Sequence, residues 1–140
     1  MARATLLPIM MKNTPNSPTN EPAAAEKTVF GLHYIMELGD CDAEILKYVP
    51  AIKEILQDAA QRSKATVLHE HYHQFEPFGV SGFVLIAESH FSIHTWPENG
   101  YASVDIQTCG DTMDAQMAVR IIRDGLCAGK VHCRTVERGL

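Results

Sequence analysis

The segment from Val80 to Ala87 constrains the fold more than any other part of the sequence, because nearly all of its residues are apolar. A strand of this composition is buried on both faces and lies inside a sheet, with further strands on either side. Residues Phe91 to Thr95 are predicted to extend this central strand beyond a kink. The other predicted strands run from Thr28 to Leu38, Ala65 to Glu76, Tyr101 to Thr108 and Val131 to Val136.

Two helices are expected between these strands. Pro50 fits the first turn of the first helix, where a proline loses no needed donor. Asp111 or Thr112 can cap a second helix, which carries apolar residues from Met117 to Ile122 and ends near Gly129. The first helix places four apolar residues on one face: Ile52, Ile55, Leu56 and Ala59. The order of elements predicts an α+β fold, a two-layer sandwich of two helices on a mostly antiparallel sheet.

The composition divides the chain of 140 residues into a leader and one domain. Residues 1–27 hold four of the seven prolines together with many small polar residues. They cannot bury enough apolar surface to offset the entropy of ordering, so we expect this leader to be disordered. Residues 28–140 form a single domain whose modest core would gain from pairing with a second copy.

Charge, hydropathy and cysteine spacing exclude several classes of protein. The formal net charge is −5 and no run of Lys or Arg occurs, which argues against a nucleic-acid partner. No apolar stretch of the sequence approaches the about 20 residues of a membrane helix. The four cysteines form no CxxC pair and do not impose a disulfide framework, so we expect a cytoplasmic protein.

The residues best suited to chemistry are concentrated between Ser81 and Gly110. A serine with nearby histidines could indicate nucleophilic hydrolysis, but no G-x-S-x-G motif surrounds Ser89 and no aspartate is obviously placed to orient a histidine. Taken alone, the local spacing favours an ordinary serine at a strand edge over a catalytic one. We interpret Trp96 as a structural residue of the following turn. The chemically capable residues of this segment are Glu88, Ser89, His90, His94, Glu98 and Cys109.

Three histidines alternate along the second predicted strand, at positions His69, His71 and His73. On a strand they share one face at successive spacings of about 7 Å. A zinc ion could recruit two of them but hardly all three, and no nearby residue completes an obvious ligand set. The alternative is a solvated face of the strand, and we expect no metal site.

Four short motifs occur in order along the same region. Residues 79–82 read GVSG, residues 87–98 read AESHFSIHTWPE, residues 100–102 read GYA and residues 108–110 read TCG. In sequence and spacing the chain resembles the short prokaryotic S-adenosylmethionine decarboxylases from about residue 28 to residue 140. The resemblance implies a pyruvoyl-dependent decarboxylase that acts on S-adenosylmethionine and supplies the aminopropyl donor for spermidine and other polyamines.

The resemblance also implies how the active group forms. The chain is expected to cut itself between Glu88 and Ser89 into residues 1–88 and 89–140. Ser89 then becomes a pyruvoyl group, whose ketone forms a Schiff base with the substrate amine and accepts the electrons left by carbon dioxide. Ser81 and His94 match residues that assist the cutting, with His94 as the proton acceptor.

Further roles follow from the same resemblance. Cys109 matches the residue that returns a proton to the substrate, Phe75 an aromatic ring that stacks on adenine, and Glu98 the carboxylate that binds the ribose hydroxyls. Phe30 supplies the other stacking face on a weaker match. A homodimer with facing sheets is also implied. Because some relatives on this scaffold decarboxylate ornithine or arginine, such a basic amino acid remains an alternative substrate.

Overall fold

A six-stranded antiparallel sheet forms the centre of the structure, a computed structural model that describes residues 27–140. The predicted disordered leader lies outside the described residues except for Lys27. The order of strands in the sheet is β2-β3-β4-β5-β1-β6, and each neighbouring pair is antiparallel. The strands are β1 (Val29–Gly39), β2 (Val67–Gln74), β3 (Val80–Ile86), β4 (Ser89–Trp96), β5 (Tyr101–Cys109) and β6 (Lys130–Gly139).

Two long helices pack side by side on one face of the sheet, as predicted, so the α+β two-layer fold is confirmed. They are α2 (Val49–Arg62) and α3 (Ala115–Gly125), preceded by a short helix α1 (Ala43–Leu46) that the sequence did not predict. No helix within residues 27–140 is long and apolar enough to cross a membrane.

The ends of the helices agree with the predictions in one case and differ in the other. Pro50 lies in the first turn of α2, as expected. The cap of α3 is Asp114, whose carboxylate accepts a hydrogen bond of 2.9 Å from the Met117 amide, and not Asp111 or Thr112. Helix α3 ends at Gly125, so the expected end near Gly129 is also wrong.

The core lies between the helices and one face of the sheet, because alternate strand residues point to opposite faces. Strand β3 has neighbours on both sides, which confirms its interior position. However, Phe83 and Leu85 on its other face are 43% and 41% exposed, so burial on both faces is wrong for the single chain. The sheet residues that face the helices include Met36, Leu38, Val84, Ile86, Phe91, Ile93, Val104 and Ile106.

Residues Phe91 to Thr95 do not extend β3 beyond a kink, as the sequence suggested. The chain reverses at Ala87 and Glu88. Phe91 to Thr95 therefore belong to a separate strand, β4, which runs antiparallel to β3. The turn contains no glycine, proline or asparagine to mark it in the sequence. This reversal makes Ser89 the first residue of a strand.

Candidate active site

The turn between β3 and β4 is held in place by the side chain of Glu88, which is only 8% exposed. Its carboxylate accepts hydrogen bonds from the backbone amide of Thr66 at 3.0 Å and from the Thr66 hydroxyl at 3.2 Å. The Ala87 amide donates in turn to the Thr66 carbonyl at 2.8 Å. A buried carboxylate needs such partners to offset its desolvation. The turn is therefore fixed to the segment that precedes β2.

The carbonyl oxygen of Glu88 accepts a hydrogen bond of 2.8 Å from the backbone amide of Cys109. Cys109 is the exposed last residue of β5, at the strand end that the sequence predicted. An amide donor at this position polarises the carbonyl group and would stabilise negative charge developing on its oxygen. The structure thus places Cys109 beside the peptide bond that joins Glu88 to Ser89.

Ser89 has a backbone φ of 144°, a value that residues with a side chain rarely adopt. Such a conformation costs of the order of 1–3 kcal/mol and persists only where the surroundings impose it. The Ser89 hydroxyl oxygen lies 3.3 Å from Nδ1 of His90. The serine is therefore strained at its backbone and faces a proton acceptor at its side chain.

Gly31 of β1 lies directly opposite Cys109 in the sheet. A Cβ atom at Gly31 would approach the Thr108 carbonyl oxygen to 2.4 Å, so only glycine allows this close pairing. The preceding residue, Phe30, presents its ring to solvent at 61% exposure. We call the group Phe30, Glu88, Ser89 and Cys109 the cleavage end of the sheet, after the predicted cut between Glu88 and Ser89.

A second group of predicted residues surrounds a cavity of about 340 Å³ at the opposite end of β4. Ser81 and His94 pair across β3 and β4, and the Ser81 hydroxyl oxygen lies 2.7 Å from Nδ1 of His94. Phe75 and Glu98 line the same cavity. We call the four residues Phe75, Ser81, His94 and Glu98 the cavity end.

Trp96 also lines this cavity and is 41% exposed. Its ring packs against that of Tyr101, with centroids 5.1 Å apart. The interpretation of Trp96 as a structural residue of the turn is therefore incomplete, because the indole forms part of the cavity wall. Its position there makes it available to a ligand.

The two ends do not meet within one chain. His94 lies five positions after Ser89 along β4. At about 3.4 Å per position, the two residues are about 17 Å apart. Phe30, Ser89 and Cys109 thus lie at one end of the sheet, and Phe75, His94 and their neighbours lie at the other. One chain supplies two incomplete halves of the constellation that the sequence predicted.

All seven histidines of the chain lie on the sheet face that the helices leave uncovered. One of them, His33, contacts Asp105 through Nε2 at 2.8 Å, and the Ser92 hydroxyl donates to the other oxygen of Asp105 at 3.3 Å. Sequence reasoning missed this network and the role of Thr66. The two-residue alternation of histidines signals their shared face, whereas nothing local signals Thr66. The histidines are His33, His69, His71, His73, His90, His94 and His132.

The three alternating histidines of β2 share this uncovered face, as their spacing predicted. Each is exposed. Within residues 27–140, no group of three or more histidine, cysteine or acidic side chains is arranged to hold a metal ion. Their exposure in the single chain agrees with the solvated-face interpretation.

Comparison with known proteins connects this geometry to a family. The model of the S-adenosylmethionine decarboxylase family matches residues 32–139. An S-adenosylmethionine decarboxylase proenzyme of Thermodesulfovibrio yellowstonii is 50% identical over 92 residues, which are 66% of this chain and 68% of that protein. One from Thermococcus onnurineus is 46% identical over 110 residues, covering 79% and 78% of the two chains.

A solved structure agrees with these sequence matches. The crystal structure of the adenosylmethionine decarboxylase from Aquifex aeolicus superposes with a TM-score of 0.76 at 41% identity. The superposition covers 80% of this chain and 92% of that one. The fold, the order of the motifs and the length of the match lead to one conclusion: the chain belongs to the S-adenosylmethionine decarboxylase family.

Proposed function

We propose that the chain cuts itself between Glu88 and Ser89, converts Ser89 into a pyruvoyl group and decarboxylates S-adenosylmethionine. The product would donate aminopropyl groups to spermidine and other polyamines. One observation carries the proposal: the Glu88 carbonyl accepts a hydrogen bond from the Cys109 amide while the adjoining serine is held at a strained φ. Both features favour attack on this one peptide bond.

The residues of the cleavage end fit the formation of this group. The Ser89 hydroxyl adds to the Glu88 carbonyl carbon, and the Cys109 amide stabilises the oxyanion that results. The C–N bond then breaks, which leaves an ester between the two residues and a free amine on Ser89. Removal of the Ser89 α-proton expels the Glu88 carboxylate, and hydrolysis of the resulting enamine releases ammonia and leaves a ketone.

His94 is suited to remove the α-proton. When its Nδ1–H donates to the Ser81 oxygen, Nε2 is free to accept a proton. The Ser81 hydroxyl proton then remains available to a developing oxyanion. Because this pair lies about 17 Å from Ser89 of its own chain, it would act on a different copy of Ser89.

A homodimer in which the uncovered faces of two sheets pack together supplies that second copy. The antiparallel arrangement of two facing sheets would set the cavity end of one protomer against the cleavage end of its partner. Exposure of Phe83 and Leu85 in the middle of this face supports the pairing, since both are apolar. Each active site would then contain residues of both chains.

In decarboxylation the pyruvoyl ketone supplies the electron sink that no side chain offers. Cys109 would return a proton to the substrate α-carbon, and the hydrogen bond between its amide and the Glu88 carbonyl supports a position beside residue 89. Phe75 would stack on the adenine and Glu98 would accept hydrogen bonds from the ribose hydroxyls, with Phe30 of the other protomer as a second stacking face. An ornithine or arginine substrate has neither a purine nor a ribose for these residues to bind.

The state of the cysteines supports a reducing compartment such as the cytoplasm. All four are free, and three of them are exposed. Exposed free thiols persist where glutathione and thioredoxin keep them reduced.

Intact mass spectrometry of the purified protein tests the proposal directly. We expect two fragments, one ending at Glu88 and one whose first residue is lighter than serine and blocked to amine sequencing. Ser89→Ala should give one uncut chain that releases no labelled carbon dioxide from carboxyl-labelled S-adenosylmethionine. Labelled ornithine and arginine serve as comparison substrates. An active protein that remains a single unbroken chain would contradict the proposal.

A further inference from the structure

His90 is a titratable side chain within hydrogen-bond distance of the Ser89 hydroxyl. The serine oxygen lies 3.3 Å from its Nδ1, within reach of a hydrogen bond in which the hydroxyl donates. The residue lies on the uncovered face of the sheet and is half-buried. Neither the oxyanion donor nor the α-proton acceptor described above accounts for this contact.

The packing around His90 fixes the orientation of its ring. The imidazole stacks on Phe83 of β3, with centroids 5.3 Å apart and planes inclined by 23°. The His33 ring of β1 meets it edge-on at a centroid distance of 6.4 Å. With contacts on two sides, the ring does not turn freely, and its Nδ1 is held toward the serine.

The surroundings of His90, and above all its burial, favour its neutral form. Burial lowers its pKa, the neighbouring His33 lowers it further, and Asp105 of β5 acts in the opposite direction. Asp105 binds His33 at 2.8 Å, and Arg138 of β6 approaches the other nitrogen of His33 at 3.4 Å. The β3 residues that flank His90 on this face carry no titratable group. A neutral imidazole whose Nδ1 carries no proton is therefore available at neutral pH.

We propose that His90 is a catalytic residue of self-cutting, the base that accepts the Ser89 hydroxyl proton during the acyl shift; this rests on the cutting proposed above. The serine O–H bond breaks as the bond between its oxygen and the Glu88 carbonyl carbon forms. The proton passes to Nδ1 of His90. As the C–N bond breaks, the imidazolium returns that proton to the Ser89 nitrogen. The shift conserves all atoms and needs no co-reactant.

Two histidines thus divide the two proton transfers of cutting. His90 acts on the hydroxyl proton of the residue that precedes it in its own chain. His94 acts on the α-proton in the later elimination, from the other protomer. The ester between Glu88 and Ser89 is the species that separates the two steps.

Hydroxylamine distinguishes the two blocks because it cleaves esters and leaves ordinary peptide bonds intact. Full-length chains are made by cell-free synthesis and chased with or without hydroxylamine at pH 7.5. His94→Ala should accumulate the ester, so hydroxylamine should yield fragment 1–88 as a hydroxamate and a fragment that keeps its amino-terminal serine. His90→Ala should be cut at least about 100-fold more slowly than the unmodified chain and should resist hydroxylamine. His69→Ala, an exposed histidine of the same sheet face, is the matched control and should be cut normally.

Two further measurements guard against misfolding of the variant. Added imidazole should restore cutting of His90→Ala, which requires a folded turn. In His94→Ala, the rate of ester formation should rise with pH and then level off, because only neutral His90 accepts the proton. The midpoint of this rise should lie below the ordinary pKa of histidine. Normal cutting of His90→Ala, its accumulation of ester, or a pH-independent ester rate would overturn the role of His90. A wild-type chain that is never cut would instead overturn the proposed function.

Discussion

At the scale of single residues, the peptide bond after Glu88 differs from its neighbours because three separate contacts converge on it. The Glu88 carboxylate is anchored by Thr66, its carbonyl oxygen is bound by the Cys109 amide, and the hydroxyl of Ser89 faces His90. Two of the contacts to Glu88 use backbone amides. Side-chain substitutions can therefore separate the stability of the turn from the reactivity of the Glu88–Ser89 bond.

Thr66→Val removes the hydroxyl that donates to Glu88 and keeps the backbone amide. Hydrogen bonds to charged groups contribute about 1.5–3 kcal/mol, so the free energy of unfolding should fall by about 1–2 kcal/mol for this partly buried pair. Thr66→Ser keeps the hydroxyl and should stay much closer to the parent. Both are compared by urea denaturation in a Ser89→Ala background, at one protein concentration. Equal stability of the two variants would show that the hydroxyl contact has no energetic role.

Cys109→Ala should separate turnover from cutting. The variant loses the thiol proposed to return a proton to the substrate but keeps the amide that binds the Glu88 carbonyl. We expect kcat for decarboxylation to fall by at least about 100-fold. The rate of chain cutting, measured by gel densitometry, should change by less than about 3-fold if the amide is the dominant stabiliser of the oxyanion. A larger loss in cutting than in turnover would reverse these assignments.

Most candidate site residues could be named from the sequence because they lie in short contiguous motifs, whereas the residues that support them could not. Thr66 meets Glu88 across 22 residues of sequence, and this contact depends on how β2 and β3 pair. Local patterns carry no information on such a pairing. The distance between Ser89 and His94 was likewise hidden, because the position of the turn before β4 decides it.

At the scale of elements, the sheet brings β1 and β5 unusually close at the cleavage end. Gly31 faces Cys109 there, and the Thr108 carbonyl oxygen occupies the space that a Cβ atom would need. The strand pairing and the position of the Cys109 amide therefore depend on the same glycine. At the other end of β1, Gly39 has ordinary room, with the Lys130 side chain 3.4 Å from an added Cβ.

Gly31→Ala should lower the free energy of unfolding by about 1–3 kcal/mol, because the added methyl group forces the strands apart. The displaced Cys109 amide should also slow cutting. Gly39→Ala adds the same methyl group at the opposite end of the strand and should change neither property appreciably. Thermal unfolding and the cutting rate are measured for both variants. Similar behaviour of the two would exclude crowding at Gly31 as the cause.

Most elements were predictable to within a few residues, since hydrophobic periodicity identifies long strands and amphipathic helices well. The failures occurred where this signal is weak. The turn at Ala87 and Glu88 lacks the usual turn residues, and the four-residue helix α1 is too short to show a period. Three acidic or hydroxyl residues compete to cap α3, and only the structure shows that Asp114 does so.

At the scale of the whole molecule, the predicted active site is divided between two ends of one sheet. The cleavage end contains the bond that we propose reacts, and the cavity end contains the proposed nucleoside pocket. A sequence lists these residues together and does not reveal that their distance in one chain excludes direct contact.

Co-expression of two inactive variants tests whether the sites are shared between protomers. Ser89→Ala lacks the residue proposed to become the pyruvoyl group, and His94→Ala lacks the proposed proton acceptor, so neither variant should form the pyruvoyl group alone. In a mixed dimer, the intact Ser89 of one chain meets the intact His94 of the other. With equal and random pairing, about a quarter of all sites should become active. Affinity tags isolate the mixed dimer, and no activity in it would show that each chain acts on itself.

The interleaving of strands has a consequence for the protein after the proposed cut. Fragment 1–88 would contribute β1, β2 and β3, and fragment 89–140 would contribute β4, β5 and β6. Because the sheet order is β2-β3-β4-β5-β1-β6, the two pieces alternate and share three strand-to-strand borders. Neither fragment contains a complete core. Cutting the backbone would therefore create two new termini but not two separate domains. Maturation can therefore relieve the strained serine while the surrounding architecture remains a single cooperative unit.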